Sequence, residues 1–464
     1  MAVVSFSSDL VNKSIGDRLD RLPWSPFHTR VTLVLGIGWL LDAFEVNVIG
    51  NVLGVLKHLW HITDFEASAL VTVWVGGIMV GALLFGYLAD RFGRRRLFIL
   101  TLLLYSACTV ISAVSPGYYF FLIFRFLTAV GVGAEYSAIN AAIGELIPAK
   151  FRGRASAVVM NFWPLGAIFA AFLTLFFINL FPPTIGWRIA FGLGAVIALF
   201  TVWARRALPE SPRWLSRHGR TAQATAVAEQ IEAGAHRFSN DGKEERDTTA
   251  SGFLSQLGQL MRHYTWRLML GSLLDFTEAA GYYGIFAFLP LIVLPRIHIP
   301  EANVPWFFLI GNIGALTGGG LAAVLLDRAG RKITVTSFYV LAALSMLVMG
   351  LTTIGGNADA VLASFIVVNF CATGSWVSAY PTFSEIFPTT LRSTGIGFSV
   401  AFGRIGAGLA PLALVAVAQH SSIMGSFAVL AGVYAVGALV MVPWILLGPE
   451  GRGRSLERLS VEVA

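Results

Sequence analysis

The stretch Gly86–Arg96, which reads GYLADRFGRRR, decides how this chain is organised. A long apolar run ends there and another begins directly after it, with one acid and four arginines gathered around a glycine-containing turn. Such a turn is typical of a short cytoplasmic loop between two membrane-spanning helices, because basic residues are retained on the cytoplasmic side. A weaker copy, Leu326–Lys332, recurs about half a chain later, so we expect two related halves.

The composition excludes an ordinary soluble domain. Of the 464 residues, 56% are hydrophobic and only 13% are charged, and the mean hydropathy is +0.72. A helix needs roughly 20 apolar residues to cross a hydrocarbon core about 30 Å thick, so the chain is long enough for about a dozen crossings. Cys108 and Cys371 both lie inside apolar runs, which predicts two buried thiols and no disulfide framework.

Apolar runs predict an all-α membrane protein with twelve transmembrane helices. The spans lie near residues 31–53, 67–89, 97–114, 118–146, 155–180, 187–204, 267–294, 304–326, 333–354, 359–383, 394–417 and 423–447. Of the 33 lysines and arginines, only Lys57 and Arg296 then fall in outer loops, while Arg125, Arg188 and Arg404 fall within or at the edge of spans. The positive-inside rule therefore predicts a multi-pass inner-membrane protein with both termini cytoplasmic. The net charge of +7 indicates the orientation of the chain in the membrane, and no nucleic-acid partner is expected.

The sequence repeats itself in two pseudo-symmetric six-helix bundles. We expect a cytoplasmic lead at 1–30, a first bundle at 31–206, a cytoplasmic linker at 207–266, a second bundle at 267–447 and a cytoplasmic tail at 448–464. Three matches relate the bundles: LLDAFE at 40–45 with LLDFTE at 273–278, Asp90 with Asp327, and Glu145 and Arg152 with Glu385 and Arg392. Ordered matches at a nearly constant offset favour a transporter whose two repeats enclose a site near the membrane midplane.

These motifs resemble those of the major facilitator superfamily of transporters, and the resemblance extends over nearly every span. Besides the two arginine turns, it rests on RFLTAVGVG at 125–133, PESPRW at 209–214 and GRSLE at 453–457. The last two are similar to the sugar-porter branch. The resemblance implies the major facilitator fold and secondary transport by alternating access.

Two segments depart from the sugar porters. Where those proteins carry a glutamine in the fifth span and a glutamine pair in the seventh, this chain has Asn161–Pro164 and Leu274–Glu278. The first-span Asp-Ala-x-Glu, the fourth-span Gly-Val-Gly-Ala-Glu and Gly281–Gly284 resemble a neighbouring branch instead. That branch contains metabolite:proton symporters, niacin-type permeases and transporters related to synaptic vesicle glycoproteins.

Ionisable residues at mid-membrane depth are the candidates for proton coupling, because a charge there costs a few kcal/mol or more. Asp42 and Glu45 share one helix face at i, i+3 spacing, where burial and mutual repulsion favour neutral forms and suit reversible proton binding. Arg125 occupies the position that the resemblance associates with proton coupling, and we expect it to pair with Asp42 or Glu45. Glu135 is a further candidate. The alternative is a fixed ion pair that only holds spans together.

Arg404 is the leading candidate for binding substrate, since its own span contains no acid and a guanidinium binds a carboxylate in bidentate fashion. The alternative partner is an acid of the seventh span, where Asp275 and Glu278 repeat the i, i+3 spacing. For these two acids, proton coupling and a structural or gating role are both open. Further candidates for lining the cavity are Trp163, Tyr282, Tyr283, Phe286, Asn312, Asn369, Trp376 and Tyr380.

A third group of residues is expected to control conformation. The resemblance implies bridges between helix ends through the charged residues Asp90, Arg94, Glu145, Arg152, Asp327, Arg331, Glu385 and Arg392. Close helix approach is expected at the glycines Gly76, Gly77, Gly81, Gly131, Gly133, Gly318, Gly319 and Gly320.

Nothing in the sequence indicates an enzyme, since it has no metal-ligand cluster, phosphate-binding loop or nucleophile with a base. We expect a proton-coupled symporter of a small organic acid, with an aromatic acid such as nicotinate as one candidate. It is expected to act as a monomer in the lipid bilayer, with protons and a small-molecule substrate as partners and no cofactor. The alternatives are a facilitator or proton symporter of sugars or polyols, and a membrane nutrient sensor that binds without transporting.

Overall fold

The computed structural model describes residues 15–92, 94–205, 209–217, 220–235, 253–387 and 391–448. These ranges contain helices joined by short turns and no β-strand. We number the twelve long helices in chain order. Their bounds are Pro26–Trp60 (α1), Asp64–Phe92 (α2), Arg94–Ala113 (α3), Tyr118–Leu146 (α4), Arg152–Met160 with Phe162–Leu180 (α5), Pro183–Arg205 (α6), Thr265–Phe288 (α7), Val304–Arg328 (α8), Arg331–Gly355 (α9), Ala358–Ile386 (α10), Arg392–His420 (α11) and Ile423–Leu447 (α12).

The twelve helices match the twelve predicted spans. Ten of them have a described stretch long and apolar enough to cross a membrane, and α3 has a shorter one, Ile99–Ala113. The largest difference is at α1, which extends past both ends of the predicted span, from Pro26 to Trp60. It begins at Pro26 because proline suits the first helical turn, and the His28 ring accepts a hydrogen bond from the backbone amide of Ser25. The predicted turn at Gly86–Arg96 is mostly helical, since α2 continues to Phe92 and α3 begins at Arg94.

Two helices deviate from regular α-geometry, each beside a proline. In α5 the break at Asn161 lies three residues before Pro164, whose ring clashes with the carbonyl four residues earlier and leaves it without an amide donor. In α7 a π-helical turn, Leu289–Val293, contains Pro290 and leads into a last α-turn, Leu294–Arg296. Both deviations lie next to residues of the candidate site.

Helix packing repeats between the two halves of the chain. In the first bundle, α1 packs on α5, α2 on α4 and α3 on α6; in the second, α7 packs on α11, α8 on α10 and α9 on α12. The largest contacts between the bundles are also reciprocal, because α5 packs on α8 as α11 packs on α2. This pattern confirms two pseudo-symmetric six-helix bundles related by a shift of six helices.

Glycines allow the tightest of these approaches. A side-chain carbon at Gly81 would overlap the carbonyl of Val130 across the contact of α2 with α4. In the corresponding contact of α8 with α10, one at Gly318 would overlap the carbonyl of Phe370. Gly77, Gly131, Gly133 and Gly319 are also in close contact, as predicted. The prediction was wrong for Gly76 and Gly320, which face open space.

The end of the molecule where α1 begins and α12 ends, called the basic end below, also carries the short helices Ile15–Asp20, Pro212–Arg217, Thr221–Ala235 and Phe253–His263. Arg18 donates to both carboxylate oxygens of Glu232 at 2.9 and 2.8 Å, and this hydrogen-bonded carboxylate raises the pKa of Arg18. Asp20 forms an ion pair with Arg152 at the start of α5. The lead, the linker and the first bundle are therefore tied together at this end.

Gly318 and Gly320 give a matched test of the close packing between α8 and α10. We expect G318A to lower the thermal unfolding midpoint of the purified protein in detergent, because overpacking costs about 1–3 kcal/mol. G320A adds the same methyl group in the same helix but meets nothing within 4 Å, so its midpoint should be unchanged or slightly higher. Equal midpoints for the two variants would contradict the packing.

Candidate functional site

The centre of the first bundle contains a buried ion pair. Arg125 of α4 donates from Nη1 to Glu45 Oε2 at 2.9 Å and from Nη2 to the backbone carbonyl oxygen of Glu45 at 2.7 Å. Both side chains are sealed from solvent, with exposures of 0% and 1%. Of the two partners that the sequence left open for Arg125, the structure therefore brings Glu45 to it.

Aromatic rings from two further helices enclose this ion pair. The Arg125 guanidinium carbon lies 4.1 Å from the ring centroid of Trp74 on α2 and 5.1 Å from that of Phe191 on α6. Contacts of this kind stabilise a cation by about 0.5–1 kcal/mol at exposed sites and by about 2 kcal/mol or more when water is excluded. Thr109 of α3 also lies close to Glu45. Five helices of the first bundle thus meet at one neutral pair of charges.

The other two proton-coupling candidates are also buried. Asp42 lies about one turn from Glu45 along α1, on the side toward the basic end. Glu135 lies ten residues beyond Arg125 along α4, which is about 15 Å at 1.5 Å per residue. Because α1 and α4 run in opposite directions, Glu135 is on the basic-end side of the Glu45–Arg125 pair and is separated from it along the helix axis.

A row of aromatic side chains crosses the boundary between the bundles. Trp163 of α5 donates from Nε1 to the hydroxyl oxygen of Tyr282 on α7 at 2.9 Å. Its ring also lies 5.8 Å from those of Trp39 on α1 and Trp376 on α10, measured between centroids. Tyr282 is partly exposed and interacts with Asn47 of α1. These five residues, which we call the aromatic row with its asparagine, are contributed by both bundles at mid-membrane depth.

A second cluster of charges lies within the second bundle. Asp275 and Glu278 of α7 are buried and interact electrostatically with each other and with Arg404 of α11. The Arg404 guanidinium carbon lies 6.0 Å from the ring centroid of Tyr283. Tyr380 of α10 approaches Asp275. We call Asp275, Glu278 and Arg404 the C-terminal charge cluster.

Two predicted liners of the cavity are turned toward their own helices. The side-chain amides of Asn312 and Asn369 donate to the carbonyl oxygens of Phe308 and Phe365, at 2.7 and 3.3 Å. Asn369 also lies against Gly311, where α8 meets α10. Both amides are thus bonded within their own helices, and Asn369 lies at the contact of α8 with α10.

The end of the molecule away from the basic end is also bridged between bundles. His58 Nε2 of α1 lies 2.8 Å from the Glu301 carboxylate, which precedes α8. Deeper in, the ring of Phe286 fills the space that a side chain at Gly50 would need. Tyr282 and Phe286 stack nearly parallel, with an angle of 11° between their planes. Contacts between the bundles therefore extend from this end down to the aromatic row.

Of the charged residues predicted to control conformation, the structure describes the side chains of Arg152 and Arg331. Arg152 donates to the carbonyl oxygen of Ile147 at 3.0 Å, and Arg331 donates to that of Leu326 at 3.0 Å. These bonds close the ends of α4 and α8. The side chains of Asp90, Arg94, Glu145, Asp327, Glu385 and Arg392 lie outside the described part of the structure.

Sequence reasoning missed several residues that complete the site. Trp39 could have been found, since it precedes Asp42 by three positions and shares its helix face. Trp74, Phe191 and Asn47 carry no signal in the sequence, because only the packing of distant helices brings them to their partners. The bridge from His58 to Glu301 was missed because Glu301 falls in a predicted outer loop.

Comparison with known proteins identifies the family. The family described as "Sugar (and other) transporter" matches residues 40–462. The niacin transporter NiaP of Acinetobacter baylyi is 31% identical over 454 residues, which cover 96% of this chain and 99% of that protein. The putative niacin/nicotinamide transporter NiaP of Bacillus subtilis is 29% identical, covering 91% of this chain and 96% of that protein.

The fold is also found among solved structures. A partially occluded, inward-open structure of the xylose transporter XylE from Escherichia coli superposes with a TM-score of 0.74 at 22% identity, covering 93% of this chain and all of the other. At this identity the likeness shows the fold alone. The chain therefore has the major facilitator fold and belongs to the sugar (and other) transporter family, and it is a multi-pass membrane transporter and not an enzyme.

Proposed function

We propose that this protein is a proton-coupled symporter of a small aromatic organic acid and that it works by alternating access. The observation that carries the proposal is the sealed Glu45–Arg125 pair at 2.9 Å, inside a transporter bundle. A proton on Glu45 would cancel its attraction for Arg125, and the released guanidinium would then need another partner. Proton binding would in this way change the relative stability of the conformations.

The aromatic row and Arg404 support an aromatic carboxylate as substrate. Trp163, Tyr282 and Trp376 offer ring faces and edges at the boundary between the bundles, where offset or edge-to-face contacts with a flat ligand are favourable. Arg404 offers a bidentate donor for a carboxylate. The names of the two NiaP relatives make nicotinate the first compound to test. For sugars, the aromatic row offers few hydrogen-bonding groups.

We further propose that the basic end faces the cytoplasm and that the protein acts as a monomer. The concentration of arginines in the turns at that end supports the orientation. Proton coupling and substrate can be tested together in liposomes with an imposed pH gradient and an internal pH-sensitive dye. Aromatic acids, aliphatic acids, sugars and polyols are added one at a time. A response only to sugars or polyols would overturn the proposal, and binding without any flux would favour a sensor.

The first prediction concerns the proton. E45Q mimics the protonated acid permanently, so we expect it to abolish accumulation driven by a pH gradient while substrate exchange across the liposome membrane continues. D359N makes the equivalent change at an exposed carboxylate in the first turn of α10 and serves as the control. D42N is measured in parallel to separate the two acids of α1. Full accumulation by E45Q would exclude Glu45 as the coupling residue.

The second prediction concerns Arg404, and it uses nicotinate and its neutral amide, nicotinamide. R404A removes a charge-assisted contact worth about 1.5–3 kcal/mol, so we expect nicotinate binding to weaken by roughly 10- to 100-fold. Nicotinamide carries no carboxylate and should bind R404A nearly as well as it binds the wild type. Affinities are measured by calorimetry on purified protein. An equal loss for both compounds would remove Arg404 as the carboxylate partner.

A further inference from the structure

The C-terminal charge cluster has an excess of acid. Asp275 and Glu278 are 1% and 7% exposed, and Arg404 is 7% exposed, so bulk water solvates none of the three charges well. With both acids ionised the cluster would carry a net charge of −1. The Glu45–Arg125 pair, by contrast, balances one acid with one base.

The packing keeps the three groups together. The carboxylate of Asp275 occupies the space that a side chain at Gly403 would need, so it lies against the α11 backbone one residue from Arg404. Gly403 thereby permits an approach that any larger residue would block. Glu278 lies about one turn further along the same face of α7.

The groups that the structure describes around the C-terminal charge cluster supply no second cation, so its excess negative charge is balanced by binding a proton. In the described part of the chain, the other titratable side chains that interact with the two acids are tyrosines, namely Tyr380 of α10, Tyr339 of α9, Tyr434 of α12 and Tyr282 of α7. A neutral tyrosine donates a hydrogen bond but adds no positive charge. Among the described residues that interact with these acids, Arg404 is the one cation.

Charge balance then links protons to substrate. Two carboxylates in a low-dielectric site cannot readily both be ionised beside one arginine, so the resting cluster holds one proton and is neutral. A carboxylate ligand that binds Arg404 adds one negative charge and displaces the remaining ionised acid from its partner. The displaced acid regains neutrality by taking up a second proton.

We propose that the C-terminal charge cluster is a second proton site, in which Asp275 and Glu278 together take up one proton for each substrate carboxylate that binds Arg404. The inference rests on the proposed function, since it takes an organic anion as the ligand of Arg404. It assigns proton uptake to the binding step itself. With the proton on Glu45, one monoanion would enter together with two protons, and transport would move a net positive charge.

Calorimetry of nicotinate binding tests the proposal without any transport step. Titrations of the purified protein at one pH, in buffers with different enthalpies of ionisation, give the number of protons taken up per ligand. We expect about one proton per nicotinate and none per nicotinamide, with nicotinate affinity falling as the pH rises, by at most about tenfold per pH unit. The double variant D275N/E278Q should bind nicotinate with no proton uptake and with an affinity that no longer depends on pH.

Two controls separate this proposal from the Glu45 mechanism. D359N should behave as the wild type, and E45Q should still take up a proton when nicotinate binds even where its accumulation is lost. Uptake that persists in D275N/E278Q, or that disappears in E45Q instead, would overturn the second proton site while leaving symport intact.

A second measurement needs no ligand. Infrared spectra of the substrate-free protein at neutral pH should contain the carbonyl band of a buried protonated carboxyl, and D275N/E278Q should lose it. If the double variant fails to fold, the single variants D275N and E278Q replace it in this measurement. Each retains one acid, which balances the charge of Arg404 without a bound proton, so the band should be lost there too. A wild-type spectrum identical to that of the variants in this region would overturn the neutral resting cluster.

Discussion

The guanidinium of Arg125 is always charged, and it lies where water cannot reach it. Such a charge is tolerated only if another group neutralises it. Glu45 supplies both a carboxylate oxygen and a backbone carbonyl oxygen, and Trp74 and Phe191 cover the guanidinium. The pair therefore stabilises the packing of α1, α2, α4 and α6, and when Glu45 takes up a proton its backbone carbonyl and the two rings still contact the guanidinium.

The same constraint is met differently in the second bundle. The backbone repeats, and Asp275 and Glu278 repeat Asp42 and Glu45 at an offset of 233 residues along the chain. Yet the offset of 240 residues that relates Glu145 to Glu385 places Phe365 where Arg125 stands, and Phe365 is buried against Phe308. The second bundle takes its arginine from α11 instead. The symmetry of the fold is thus retained while the symmetry of the charges is lost, which gives the two halves different chemistry.

Much of this arrangement could be predicted from the sequence. Hydropathy and the distribution of arginines predicted the twelve helices within a few residues at most ends, because crossing a membrane constrains helix length directly. The i, i+3 acids and Arg125 were also identified, since charges inside apolar runs stand out.

The sequence could not predict whether Arg125 pairs with Asp42 or with Glu45. Both acids share one helix face, and the rotation of α4 against α1 decides which of them Arg125 reaches. The hydrogen bond from Trp163 to Tyr282 joins residues 119 positions apart in different bundles. The hydrophobic periodicity of a helix does not predict a contact of this kind. The break before Pro164 and the π-turn at Pro290 were readable in principle, as prolines within apolar runs.

Each charged cluster lies within one bundle, whereas the aromatic row lies between the two. Glu45 and Arg125 belong to α1 and α4, and Asp275 and Arg404 belong to α7 and α11. A rocking motion of rigid bundles would therefore break neutral contacts, such as those of Trp163 with Tyr282 and of Phe286 with Gly50, and leave the Glu45–Arg125 pair and the C-terminal charge cluster intact. Separating neutral groups costs far less than separating desolvated charges. The fold can in this way change conformation without exposing a charge to the membrane. The net charge inside each bundle is then determined by the protons and the ligand that bind there.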